Sequence, residues 1–109
     1  MKNLKSKTEP QKLFCQLAST IDEDRIYQLS SSEQFEEMQK NIEAQYVSIS
    51  SLKEASKICS KFIDYYNLGG SNWTGGRVVN ENHEFVAFIS YNGKIWDNED
   101  TFKAKEIII

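Results

Sequence analysis

Phe85-Val86-Ala87-Phe88-Ile89-Ser90-Tyr91-Asn92-Gly93-Lys94-Ile95-Trp96 is the stretch whose reading decides the fold. Phe85 to Tyr91 is rich in β-branched and aromatic residues and apolar on both faces, which suits a strand. Asn92-Gly93 is the strongest short hairpin signal, since a type I′ turn asks for positive φ at both central positions. Lys94-Ile95-Trp96 then returns antiparallel. A two-residue turn sets Tyr91 opposite Lys94 and Ile89 opposite Trp96, so Trp96 shares a face with Phe85, Ala87 and Ile89. Val86, Phe88 and Ile95 take the other face. A meander buried on one side alternates more cleanly than this. Either helices cover both faces, or one apolar face is kept for a partner.

Upstream, Arg77-Val78-Val79 reads as a further short strand and Glu81-Asn82-His83 as its turn. Before Gly70 the period becomes helical. Ser51-Leu52-Lys53-Glu54 has the form of a capping box, followed by Ala55, Ile58, Cys59, Phe62, Ile63 and Tyr66 at helical spacing. Asn67 and Gly69 suit the left-handed end of that helix. A second box, Ser30-Ser31-Ser32-Glu33, opens a stripe of Phe35, Met38, Ile42 and Tyr46. A third, Thr8-Glu9-Pro10-Gln11, precedes Leu13, Phe14, Leu17 and Ala18, and that helix should fade near Thr20. Ile26–Leu29 and Tyr46–Ile49 each fit a short strand or a loop. Ala104–Ile109 is a candidate fourth strand, and its three isoleucines on an uncovered edge would invite aggregation. The expected fold is therefore α+β, with two or three N-terminal helices packed on a C-terminal antiparallel sheet of three to four strands. One domain should span residues 1–109, with 1–7 as a Lys-rich tail.

Composition narrows the class further. With 39% hydrophobic and 27% charged residues, one proline and five glycines in 109, the chain is globular and neither collagenous nor wholly disordered. No apolar run approaches the roughly 18 residues of a membrane span, and nothing apolar follows the Lys-rich start as a secretion signal would. The net charge of −3 argues against general nucleic-acid or membrane-surface binding. Charge is unevenly spread. Residues 22–43 carry Asp22, Glu23, Asp24, Glu33, Glu36, Glu37 and Glu43 against only Arg25 and Lys40. Cys15 and Cys59, each among apolar neighbours, are expected to be buried and reduced; a Cys59–His83 catalytic pair lacks an orienting third residue.

The segment Leu68–Arg77 holds four of the five glycines, a tryptophan and an arginine. Tryptophan and arginine are enriched at binding hot spots, so Asn72, Trp73 and Arg77, with Tyr91 and Trp96 of the hairpin, are candidate partner-binding residues. The competing reading has Gly69-Gly70 ending the helix, Gly75-Gly76 opening the strand, and Trp73 folding over the sheet as a lid. Neither a dinucleotide fingerprint nor a P-loop is present. Glu33, Glu36, Glu37 and Glu43 form a candidate acidic helix face, able to imitate nucleic-acid phosphate or simply to be solvated. His83, the one histidine, is expected in a solvated turn, and Asp97-Asn98-Glu99-Asp100 departs from a calcium loop at its glycine and closing glutamate. No metal set, cofactor motif or catalytic constellation stands out, so no enzyme class is suggested.

The run Leu68-Gly69-Gly70-Ser71-Asn72-Trp73-Thr74-Gly75-Gly76, with Ile89-Ser90-Tyr91-Asn92-Gly93-Lys94-Ile95-Trp96, resembles small uncharacterised proteins of tailed bacteriophages and mobile elements. The resemblance covers about residues 51–97 and carries no catalytic motif. It implies a setting, the bacterial cytoplasm. The functional expectation is a small acidic protein-binding module, an accessory protein or inhibitor acting on a host or bacterial protein. Binding of single-stranded nucleic acid through Trp73, Arg77, Tyr91, Lys94 and Trp96 is the alternative.

Overall fold

The computed structural model describes residues 12–109. In chain order these form β1 (Leu13–Ser19), a 3₁₀ turn (Ile26–Gln28), α1 (Ser31–Met38), β2 (Ile42–Ile49), α2 (Leu52–Tyr65), β3 (Arg77–Asn80), β4 (Phe85–Ile89) and β5 (Ile95–Trp96). The strands make one antiparallel sheet in the order β2-β1-β3-β4-β5. Both β2 and β3 run antiparallel to β1, so they are parallel to each other, and α2 is the crossover that such a pair requires.

The class is α+β, but the expected layout is not. The helices lie between strands rather than ahead of them, and the sheet has five strands rather than three or four. Leu13–Ser19, expected in a helix, is β1, the strand between β2 and β3. A strand paired along both edges can carry a short, mostly apolar run, and periodicity alone does not separate that from a buried helix. The capping box at Thr8–Gln11 lies outside the described residues. The stripe from Phe35 to Tyr46 is also divided. The helix stops at Met38, and Ile42 and Tyr46 belong to β2, paired with Ser19 and Gln16 of β1. No glycine or proline marks that stop; strand pairing overrides the helical spacing. The C-terminal segment adds no strand, only a bridge of Glu106 to Trp96 in which the Asp97 N–H donates to the Lys105 carbonyl and the Ile107 N–H to the Ile95 carbonyl.

Other local signals act as their chemistry suggests. Ser30 and Glu33 close a reciprocal capping box, and Ser51 accepts the Glu54 N–H. α2 ends with Asn67 at φ +54, the Leu68 N–H on the Ile63 carbonyl and the Asn67 N–H on the Asp64 carbonyl, a Schellman motif.

The β4–β5 turn differs from the expected type. Ser90 and Lys94 are joined by an N–H to carbonyl bond of 3.0 Å around three loop residues, and Gly93 (φ +84) is the only one of them at positive φ. This fits a type I turn followed by a left-handed residue. One extra loop residue shifts the register, so Ile89 faces Ile95 and Phe88 faces Trp96. Trp96 thereby moves to the face of Phe88, and Ile95 joins the core.

The core lies on one face of the sheet. Val47, Cys15, Val78 and Ala87 form a row across β2, β1, β3 and β4, with Ile89 and Ile95 beyond. α2 lays Ala55 and Cys59 on this row, both without solvent exposure. Two small residues four apart let the helix approach the strands closely.

Candidate functional site

The glycine-rich segment after α2 is built into the fold. A Cβ on Gly76 (φ +103) would collide with the Ile89 carbonyl oxygen, and one on Gly75 would lie 2.7 Å from the Gln16 carbonyl oxygen. Glycine is required where the chain passes between β1 and β4 in this way. Trp73 packs half-buried on the core, tilted against Phe62 of α2 at 6.0 Å, and its indole Nε1 donates to the Ile89 carbonyl at 3.2 Å. This is the lid geometry. Asn72 is buried: its Nδ2 donates to the Thr20 carbonyl and to Glu37, and its Oδ1 accepts the Gly69 N–H.

Of the remaining candidates, Tyr91 and Trp96 line one cleft, and Arg77 pairs with Glu99 of its lining. Tyr91 donates its hydroxyl to the Leu68 carbonyl at 2.9 Å. Trp96 is on the opposite face of the sheet from the core, with its Nε1 on the Ser90 hydroxyl. There it lines a cleft of about 330 Å³ with Phe88, Tyr91, Asn98, Glu99 and Ala104. Arg77 pairs Nε to Glu99 at 3.3 Å, off hydrogen-bond alignment, and its guanidinium stands 6.0 Å from the Phe85 ring centre. Trp73 and Trp96 thus occupy opposite faces and make no common stacking platform, and Arg77 already has a carboxylate.

The four glutamates do not form one acidic face. Glu33 caps α1, and the Ser30 N–H and hydroxyl hold its carboxyl below the usual range. Glu43 belongs to β2. Glu36 is exposed on α1, whereas Glu37 is only 4% exposed. Burial alone would raise the Glu37 carboxyl. The Asp22 N–H at 2.8 Å, the Asn72 amide at 2.8 Å and the Lys40 ammonium at 3.1 Å outweigh it and hold the group below its ordinary value.

That network reverses α1. Its acid points into the protein, while Phe35 is 66% and Met38 60% exposed. Three residues apart, these two share a helix face. Tyr27, on the 3₁₀ turn that α1 packs against, is 86% exposed. Glu23, Asp24, Glu33 and Glu36 are exposed in the same segment. The acidic bias of residues 22–43 was legible in the sequence. The outward apolar pair was not, because Phe35 and Met38 share one helical spacing with Ile42 and Tyr46, which belong to β2.

His83 is exposed in the β3–β4 turn at φ +63, edge-on to Tyr46 at 5.0 Å. No cluster of three or more metal-ligating side chains occurs among the described residues, and no helix there is long and apolar enough to cross a membrane. Comparison with known protein families, curated proteins and solved structures finds no match to this chain.

Proposed function

We propose that this chain is a protein-binding module whose contact surface is the outward face of α1 and the turn before it. The observation that carries the reading is the reversed helix. A solvated helix normally buries its apolar residues and exposes its acids; here Phe35 and Met38 face water and Glu37 does not. Large exposed apolar side chains ringed by polar ones are the usual composition of a docking patch. The exposed Glu23, Asp24, Glu33 and Glu36 suit a partner with an apolar groove edged by Lys and Arg, and their field would speed encounter at low salt. In the setting that the resemblance over residues 51–97 implies, that partner is a bacterial host protein in the cytoplasm. The chain would act as a phage or mobile-element accessory protein or inhibitor by occupying it.

The test is capture from bacterial lysate, followed by binding of the identified partner in purified form. Phe35→Ser with Met38→Ser should abolish binding and leave the melting temperature nearly unchanged. A control at Phe102, 98% exposed elsewhere on the surface, should bind normally. Full retention of the partner by the double variant defeats the reading. Salt-sensitive binding of a single-stranded oligonucleotide with no protein partner would favour the nucleic-acid alternative instead.

A further inference from the structure

Cys15 and Cys59 are buried and reduced, and the fold brings them together. Cys15 stands at the centre of the core row on β1, and Cys59 faces it from α2 where the helix lies closest to the sheet. Their sulfurs are 3.4 Å apart, within hydrogen-bond distance of each other. Neither residue is exposed, and the thiols are free. Forty-four positions separate them in sequence. A bond between them would therefore close a ring holding α1, β2 and the first half of α2, and would clamp α2 to β1.

We propose that Cys15 and Cys59 are a modification site, closed to an intramolecular disulfide by a peroxide oxidant. The hydrogen bond from Cys59 favours a Cys15 thiolate, holding that thiol below its ordinary value, while the same bond and burial push Cys59 well above it. Cys15 is thus the attacking sulfur and Cys59 the resolving one. The Cys15 thiolate attacks one oxygen of hydrogen peroxide, the O–O bond breaks, and a proton taken up by the leaving oxygen gives Cys15 sulfenic acid and water. The Cys59 sulfur then attacks the Cys15 sulfur, the S–OH bond breaks, and the departing hydroxide takes the Cys59 proton as a second water. In sum two thiols and one peroxide give one disulfide and two waters, with two electrons passing to the peroxide. Peroxide is small enough to reach such a site during local opening of the core.

The experiment uses the full-length folded chain, reduced, freed of reductant and exposed to hydrogen peroxide. The expected product is a monomer whose cysteine-bearing peptides are lighter by two hydrogens in all, with no oxygen on either cysteine sulfur and no free thiol in denaturant; oxygen on the exposed Met38 is assigned separately by peptide mapping. Its melting temperature should rise by roughly 10 °C or more and return when a dithiol reductant is added. Cys15→Ala and Cys59→Ala, where they fold, should show no such rise. The proposal is overturned if either cysteine gains oxygen, or two chains join, without loss of two hydrogens from the monomer. Retention of both thiols under conditions that consume an exposed control thiol overturns it equally. A peroxide-driven rise in either single variant would show that the bond is not the cause.

Discussion

Trp73→Ala tests the lid assignment directly. Truncating a fully buried large aromatic costs about 3–5 kcal/mol. Trp73 is half-buried on the core, so the packing loss should be nearer 1–2 kcal/mol. The indole also donates to the carbonyl of Ile89, a residue without solvent exposure. Removing that donor from a buried acceptor adds about 1 kcal/mol. Together the change should destabilise the chain by about 2–3 kcal/mol and lower its melting temperature by roughly 10–20 °C. Trp73→Phe separates the two parts. It keeps most of the apolar contact, loses the N–H, and should cost about 1 kcal/mol. Thermal unfolding followed by circular dichroism reads both variants. If Trp73→Ala melts within roughly 3 °C of wild type, the lid reasoning is wrong and Trp73 is available to a partner.

Three further expectations follow from the same geometry. Gly93→Val should destabilise by about 1–3 kcal/mol, since Gly93 sits at φ +84 with the Ser56 hydroxyl 3.4 Å from any added Cβ; an unchanged melting temperature would remove the turn from the argument. Glu37 is held below its ordinary pKa, so its contribution is complete above the unfolded value of about 4.3 and is lost as pH falls through the lower folded value. Chemical denaturation at pH 7 and pH 3 should show this loss, and Glu37→Gln should be less stable at pH 7 with a flatter acid dependence. Phe35→Ser and Met38→Ser should each shift stability by no more than about 0.5 kcal/mol, because both side chains face water; a larger loss would place them in a core.

How far the fold was legible depends on whether a signal was local. Helix caps are local chemistry, and Ser30, Glu33, Ser51 and Asn67 all act where the sequence placed them. β1 was hidden because Leu13-Phe14-Cys15-Gln16-Leu17-Ala18 satisfies helical spacing and a buried strand alike, and only pairing with β2 and β3 decides between them. The hairpin is legible in Asn92-Gly93 but its register is not. One additional loop residue exchanged the faces of Ile95 and Trp96, and with them the membership of the core and the outer cleft. At the candidate sites the residue types are legible in the sequence and their partners are not. Asn72 and Glu37 stand 35 positions apart, and no spacing rule connects them. The approach of Cys15 to Cys59 was equally invisible, because it depends on where α2 crosses β1.

The bonds of Glu37 also explain why α1 can present its apolar residues to water. An eight-residue helix is marginal by itself, so its orientation must be imposed by contacts outside it. Phe35 and Met38 would be buried if hydrophobicity alone turned the helix. The buried carboxylate opposes that rotation, because leaving its position would strand the Asp22 N–H and strip Asn72 of one of its acceptors. Unmade bonds at buried polar groups cost about 1–3 kcal/mol each, comparable with what burying Phe35 or Met38 would return. The balance is close enough for a single residue to set it. Glu37→Gln should therefore weaken partner binding even though Glu37 itself faces inward, and it should do so by loosening the presentation of Phe35 and Met38. If the variant binds the partner with wild-type affinity, Glu37 holds the fold but does not orient the contact surface.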